Sequence, residues 1–465
     1  MEDNNNSEEE TIVFSNKVLN FTEHQFFSEA QVETLKNLGL NFQPVEYEGI
    51  PKYLGISSEQ ANYYIGASWL TKERAVVVTP KIIDKDNPYK KTDFIEMYLR
   101  ALKFSPSSEY FSKFYGIDFE QPVIECNSLN EQLTPLLIVH FISCLRKAIG
   151  HGLKKDYVLR EENLQSKVRG RIMMQKNLQK NIFSKRYDRT YCKYQEYTVD
   201  IPINRLLKKA LIFSSKYLNQ LVSFQYHISL SELISDINKL KSSFYLVSED
   251  IEVHEIKTLK KNKLFKDYNE AFRLAKLILQ RFDYSINNAG IENKTVPPFW
   301  IDMSRLFEVY VYSKLEEAYP GQIKFQVPGK FKSVADFVKV DEHIILDAKY
   351  KPRYKNSNSQ ILADIREMSG YARDYKIRKQ MGLRKDDAAI VPCVIIYPEY
   401  IPVESEEDMS EEEKEEVLSQ EEDTVLDFEC KSIRDIIHNH QIPGFKEFYK
   451  ISINLPYYEV PTGEK

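Results

Sequence analysis

The chain has 465 residues, 42% of them hydrophobic and 12% aromatic, enough for roughly two to four packed domains. It contains no apolar run near the roughly 20 residues of a membrane span, and its acidic, polar start, MEDNNNSEEE, is unlike a signal peptide. Five cysteines, at 126, 144, 192, 393 and 430, form no C-x-x-C pair, which argues against a disulfide framework or zinc ribbon and for a cytoplasmic protein.

The formal net charge of −5 hides an uneven distribution. ESEEDMSEEEKEEVLSQEED, 404–423, holds twelve acids and one lysine, and the first ten residues hold five acids; without these two stretches the chain is net +11. Such runs bury too little apolar surface to offset ordering entropy, so 404–423 is expected to be a solvated insertion. The remaining basic body suits a polyanionic partner.

Residues 1–30 read as an acidic, polar tail. From 31 to 125, short β-rich runs such as YYIGASWL and RAVVVTPKI between Gly and Pro predict a small β-containing domain. From 126 to 284, apolar residues recur at three and four, as in LTPLLIVHFISCLRKAIG and EAFRLAKLILQRF, predicting a helical middle domain. Within it, 165–194 carries nine Lys or Arg against the single Asp188. Lys167, Arg169, Arg171, Lys185 and Arg186 are candidate phosphate contacts there; the plain alternative is a solvated face. SINNAGIENKTVPPF, 285–299, reads as a linker opening the last domain, 285–465. VPPFW, 296–300, has Val where the N-P-P-[YF] of DNA methyltransferases has Asn, and no Gly-rich cofactor loop accompanies it.

In the last domain MSRLFEVYVYSKLEEAY, 303–319, places Met303, Leu306, Phe307, Tyr310, Val311 and Leu315 at helical spacing. IKFQV, a hairpin of VADFVKV and HIILDAKY, a helix over 359–380 and AAIVPCVIIYPEY follow. The order is α-β-β-β-α-β, a mixed sheet flanked by helices. Asp347 and Lys349 lie two apart on one strand, so they share a face. If the hairpin register brings Asp336 to that face, two acids and an ammonium converge, the minimum set for holding a divalent metal beside an activated water. Glu308 on the first helix could face them, and Asp364, Glu367 and Tyr371 share a face of the later helix. The plain alternatives are a surface charge pair for Asp347 and Lys349 and ordinary helix surface for Glu308.

These pieces resemble a known family. Asp336 followed by Asp347-Ala348-Lys349 within α-β-β-β-α-β is similar to the PD-(D/E)xK nuclease superfamily. YYIGASWL…VVVTPKI (63–82), VRGRIMMQKNL (168–178), YCKYQEYTVDIPINRLLKKAL (191–211), MSRLFEVYV (303–311) and ILDAKYKPRY (345–354) together resemble, in order, McrC, the endonuclease subunit of McrBC-type modification-dependent restriction systems.

The resemblance implies an α+β multidomain protein with a C-terminal PD-(D/E)xK nuclease domain. It implies Mg²⁺, with Mn²⁺ as a substitute, on Asp336, Asp347 and the Ala348 carbonyl. It also implies Lys349 orienting the attacking water, and Glu308 as the acid of the first helix. Asp364, Glu367 and Tyr371 would support the site. Beside a metal the Lys349 pKa is expected to fall. Two positions depart from the family: Ala335 stands where a proline is usual before the first acid, and Glu367 where a Gln is common. The implied partners are a separate McrB-like AAA+ GTPase, docked by the N-terminal and helical parts, and double-stranded DNA carrying modified cytosine. The chain itself has no G-x-x-x-x-G-K-[ST] and is expected to bind no nucleotide. The alternative to a nuclease subunit is a non-catalytic DNA-binding regulator that activates an AAA+ NTPase.

Overall fold

The computed structural model describes residues 18–40, 52–81, 90–103, 114–118, 121–125, 130–150, 152–222, 227–251, 266–287, 295–351, 358–385, 387–399 and 432–459. The acidic run 404–423 and residues 1–17 lie outside them. Up to residue 125 the elements are β1 (Val18–Thr22), α1 (Glu29–Asn37), β2 (Tyr64–Trp69), β3 (Ala75–Thr79), β4 (Lys90–Thr92), α2 (Phe94–Lys103), β5 (Tyr115–Ile117) and β6 (Ile124–Glu125). Next come α3 (Asn130–Ala148), β7 (Asp156–Gln165), β8 (Arg171–Ile172), α4 (Met174–Asn177), β9 (Arg189–Thr198), α5 (Pro202–Val222), α6 (His227–Ser243) and α7 (Lys266–Asn287). The rest comprises β10 (Thr295–Val296), β11 (Phe299–Asp302), α8 (Met303–Ala318), β12 (Ile323–Pro328), β13 (Val334–Lys339) and β14 (Ile344–Ala348). It closes with α9 (Asn358–Arg373), α10 (Tyr375–Gln380), β15 (Cys393–Pro398), α11 (Ile433–Ile437), β16 (Phe448–Ile453) and β17 (Tyr457–Glu459). The fold is mixed α/β, and among the described residues no helix is long and apolar enough to cross a membrane.

Met1–Gln132 and Asn293–Lys465 together make one compact unit, and Leu133–Glu292 makes a second. The β-containing segment and the last segment therefore share a unit. Its first sheet has the order β1-β3-β2-β11-β5 and its second β12-β13-β14-β15-β16. The stretch read as a linker supplies part of the first sheet. β11 pairs with β2 and β5, β10 pairs with β6, and Pro298, at the join of the two short strands, accepts a hydrogen bond from Asp118 N at 2.8 Å. Prolines interrupted the pattern because they sit at the strand junction, where no ladder donor is needed.

The second sheet is mixed: β12, β13 and β14 are antiparallel neighbours, while β14, β15 and β16 run parallel. One face packs on α9 and α10 through Val338, Ile345, Ile365, Met368, Ile377 and Ile395. On the other, Tyr312 of α8 lies over Phe325 and Phe337, with ring centroids 4.8 and 6.4 Å away. Because both faces are covered, β14 reads as continuous apolar IIL until Asp347. The helix read as 359–380 is two helices, since Asp374 leaves the helical region and caps α10 by accepting from Lys376 N at 2.7 Å.

The second unit is helical apart from a three-stranded antiparallel sheet, β7-β9-β8, which periodicity did not reveal. Both faces of β7 are largely exposed, so no alternation of apolar and polar residues marks it. Cross-strand pairs hold it instead: Arg160 to Glu196 at 3.1 Å, Lys193 to Glu161 at 2.9 Å, and Tyr157 against Tyr197 at 5.1 Å between centroids. The Glu161 carboxyl is held down at about 2 by hydrogen bonds from Lys176 and Lys193. Cys144, Cys192 and Cys393 are free and buried.

Gly66 of YYIGASWL is fixed by close approach. Its φ is +142°, and an added Cβ would lie 2.1 Å from the Phe299 carbonyl oxygen. Gly66→Ala is expected to cost about 3 kcal/mol through strain and overpacking. Both tryptophans, Trp69 and Trp300, belong to this sheet, so urea unfolding followed by tryptophan fluorescence reads the change directly. An unchanged midpoint would show that β2 and β11 separate freely.

Candidate active site

The hairpin register decides what the motif can do. Phe337 faces Leu346 and Val338 faces Ile345 across β13 and β14; one further step along the antiparallel pair sets Asp336 opposite Asp347, on the side packed against α9. Asp336 Oδ2 accepts a hydrogen bond from Ala348 N at 3.0 Å, which fixes its carboxylate against the end of β14. Asp347 is 2% exposed, and its Oδ2 lies 2.7 Å from Lys349 Nζ.

That ammonium also donates to Glu367 Oε2 at 2.9 Å, and Tyr371 O–H donates to Glu367 Oε1 at 2.7 Å. The shared helix face of Glu367 and Tyr371 thus reaches the site through Lys349. Asp364, on the same helix, is buried but paired with Lys351 at 2.7 Å; it acts on Asp347 only through its charge. Glu308 accepts a hydrogen bond from Gln326 Nε2 of β12 and likewise faces Asp336 through its charge.

Lys167, Arg169, Arg171, Lys185 and Arg186 belong to the second unit. All five are exposed, on the β7-β9-β8 sheet or the turns joining its strands. Arg169 stacks its guanidinium 4.6 Å from the centre of the Tyr194 ring. Exposed apolar side chains surround them, with Phe183 76%, Tyr187 77% and Val168 60% exposed.

Burial, then Asp347, then Glu308 push the Asp336 carboxyl well above its ordinary range. Burial also raises Asp347, against the pull of Lys349 and with Glu367 and Asp364 adding to the rise. For Lys349, burial favours the neutral amine, but the Asp347 and Glu367 carboxylates outweigh it and the pKa is raised. That rise belongs to the site without an ion, whereas the expected fall was for a lysine beside a bound metal; here Asp347 contributes most to the rise and Glu367 adds to it. A cationic Lys349 can orient a water or a phosphate oxygen, yet it has no lone pair with which to take a proton.

Both acids have raised pKa values even with Lys349 Nζ 2.7 Å from Asp347 Oδ2, so the pair would be stabilised by further positive charge. Among the described residues no group of three or more His, Cys, Asp or Glu is arranged to hold a metal ion. The donor set is thus two carboxylates, Asp336 and Asp347. It fits Mg²⁺, which keeps several waters and uses one or two carboxylates.

A second buried cluster was not legible in the sequence. Tyr350, next to Lys349, donates its O–H to Glu23 Oε1 at 2.9 Å; Lys81 N donates to the same oxygen at 2.9 Å, and Lys81 Nζ lies 3.9 Å from the Tyr350 ring centre. Burial raises the Glu23 carboxyl and lowers Lys81 to about 8. The partners are 327 positions apart, and no local pattern marks them.

The raised Asp336 pKa has a consequence for stability. The folded state holds this proton more tightly than the unfolded chain, whose value is about 3.9, so the contribution is favourable below that pH and is lost as pH rises through the folded value. Asp336→Asn is therefore expected to raise the unfolding temperature at pH 8 and to change it little at pH 4, by differential scanning calorimetry without divalent ions. A variant destabilised at pH 8 alone would show that the structure favours the Asp336 anion.

The family model described as McrBC 5-methylcytosine restriction system component matches residues 59–383, a span that includes Asp336, Asp347, Lys349 and all of the second unit. Among curated proteins nothing matches. Two solved structures are similar at 14% identity. One is a half-complex from a tetradecameric assembly of Thermococcus gammatolerans McrB AAA+ hexamers with bound McrC, covering 94% of each chain at a TM-score of 0.37. The other is the Thermococcus gammatolerans McrBC complex, covering 65% of this chain and 88% of that one at a TM-score of 0.28. With well over half of its length matched by that model, the chain belongs to the McrBC 5-methylcytosine restriction system component family.

Proposed function

We propose that this chain is the Mg²⁺-dependent endodeoxyribonuclease subunit of its restriction system, hydrolysing phosphodiester bonds in DNA that carries modified cytosine. The observation that carries the reading is the pair Asp336 and Asp347 facing each other across a buried hairpin, with Lys349 Nζ 2.7 Å from Asp347. The α-β-β-β-α-β order and the mixed sheet support a PD-(D/E)xK fold. A surface charge pair would have no reason to sit in a strand covered on both faces, where an uncompensated acid costs several kcal/mol.

Asp336, Asp347 and the Ala348 carbonyl would hold the ion. When bound, it supplies charge for the phosphate oxygens and acidifies a water. Lys349 remains cationic and aims its N–H at the attacking water or a non-bridging oxygen, anchored by Glu367, which Tyr371 in turn orients. Glu308 and Asp364 shape the field from behind Gln326 and Lys351. Proton acceptance falls to bulk water or to phosphate, since Lys349 is already charged.

The partner proposed is a McrB-like AAA+ GTPase, because the family is that of one component of a system and this sequence has no phosphate-cradling loop. Lys167, Arg169, Arg171, Lys185 and Arg186 are proposed phosphate contacts. The exposed Phe183, Tyr187 and Val168 among them favour a protein docking surface on the same sheet. The second reading, a non-catalytic DNA-binding regulator of an AAA+ NTPase, draws on that surface alone.

Cleavage of methylated and unmethylated plasmids separates the readings. With partner, GTP and Mg²⁺, the parent chain is expected to cut methylated DNA; without partner, or with a non-hydrolysable nucleotide, it is not. Asp347→Ala is expected to abolish cutting while leaving partner binding intact. Lys349→Ala is expected to slow cutting by about two orders of magnitude or more with little change in DNA affinity. Stimulated nucleotide hydrolysis with no cutting by any mixture would favour the regulator.

A further inference from the structure

Between β12 and β13 the chain turns through Gly329-Lys330-Phe331-Lys332-Ser333, and Phe331 at the tip is 100% exposed. Single exposed apolar side chains are common and carry no meaning by themselves. Three further observations set this one apart.

First, the loop is strained and pinned. Phe331 and Lys332 have φ of +53° and +64°, a region that costs a non-glycine residue about 1–2 kcal/mol. Asp374 holds it there: its Oδ2 accepts from Lys330 N at 2.6 Å and lies 3.5 Å from Ser333 Oγ. Gly329 N donates to Ser333 O at 2.8 Å, and Ser333 Oγ donates to Lys330 O at 2.7 Å. The approach is so close that a Cβ on Gly329 would lie 2.7 Å from Asp374 Oδ2. Backbone hydrogen bonds keep the Asp374 carboxyl below its usual range despite some burial, so the anchor stays ionised. Phe331 is thus presented on a shaped support.

Second, the surroundings are cationic. Segments 320–335 and 374–385 hold eight Lys or Arg and one acid, Asp374, which the loop itself consumes. Lys330 and Lys332, on either side of Phe331, are exposed, as are Lys376 and the half-exposed ring of Tyr375 at the start of α10.

Third, the loop lies at the same end of the sheet as the two acids. Asp336 is the third residue after Ser333 on β13, about 10 Å along the strand. The antiparallel β14 brings Asp347, next to its last residue, to that same end. The tip, five residues before Asp336, lies at most about 18 Å from it by chain length, which is within about five base pairs at 3.4 Å each.

From these observations, and resting on the nuclease reading above, we infer that loop 329–333 is a DNA wedge: Phe331 inserts against the bases of the duplex within about five base pairs of the bond cut, while Lys330 and Lys332 hold the flanking phosphates. An aromatic wedge unstacks a base step and gains stacking in return.

The test uses the full-length chain carrying Asp347→Ala, so that DNA stays intact, with short duplexes bearing 2-aminopurine at successive positions. Binding at low salt is expected to brighten the probe at one step. Adding Phe331→Ala is expected to remove the brightening and weaken binding about tenfold, Phe331→Trp to retain both, and Lys330→Ala or Lys332→Ala each to lower the salt slope by about one. Thermal unfolding of each variant should match its parent, since the ring touches nothing. DNA bound equally well with and without the ring, and without brightening, would overturn the wedge while leaving the nuclease reading to the plasmid assay. Unchanged DNA binding with lost association to an AAA+ partner or to a second copy would make the loop a protein-docking device, also overturning it. A parent chain that binds no duplex at low salt would sink both.

Discussion

Two carboxylates on neighbouring strands, Asp347 buried and Asp336 partly buried, set the terms for the rest of this site. Asp336 and Asp347 repel each other in a sheet covered on both faces, and each has its pKa raised chiefly by that burial. A fold tolerates such a pair when the apolar packing around it is strong enough to bear the cost. Here it is supplied by Ile345, Leu346, Phe337 and Val338, all fully buried. The hydrophobic core and the charged site are therefore parts of one arrangement: the packing creates the low dielectric that makes the acids want a cation.

The neighbours of the pair explain why it stays a pair. Every other acid nearby has a partner of its own. Glu308 is bound by Gln326, Asp364 by Lys351, and Glu367 by Lys349 and Tyr371. Lys349 bridges Asp347 and Glu367, so its charge is fixed by two carboxylates and is available for orientation. Glu367, where the family often has an amide, is then an anchor for the lysine, and the extra negative charge is neutralised locally. Beyond Lys349 the chain is tied to its N-terminal segment through Tyr350 and Glu23. The strand end that carries the motif is thereby anchored by residues far away in sequence.

Much of this was legible because it depends on short-range alternation. Asp347 and Lys349 two apart on a β-branched run, and apolar residues at three and four before and after, were enough to place α8, β12 to β15 and α9 in order. Where both faces of a strand are wet, as in β7, or where prolines mark a strand junction, as at 297 and 298, the apolar pattern vanishes and the elements were not read. Charge states were legible only in part. The Lys349 shift draws first on Asp347, two residues away, and then on Glu367, whose reach from a separate helix no spacing could supply, and Glu23 and Lys81 meet Tyr350 solely through tertiary packing.

The central claim is that Asp336 and Asp347 together form a divalent cation site. Titrating the full-length chain with Mn²⁺ and following the paramagnetic resonance signal of the free ion tests this without requiring catalysis. The account expects a saturable loss of free-ion signal in the parent chain that disappears in Asp347→Ala, while the variant keeps the parent's circular dichroism. Equal binding by parent and variant, or no binding by the parent even with duplex DNA present, would contradict it.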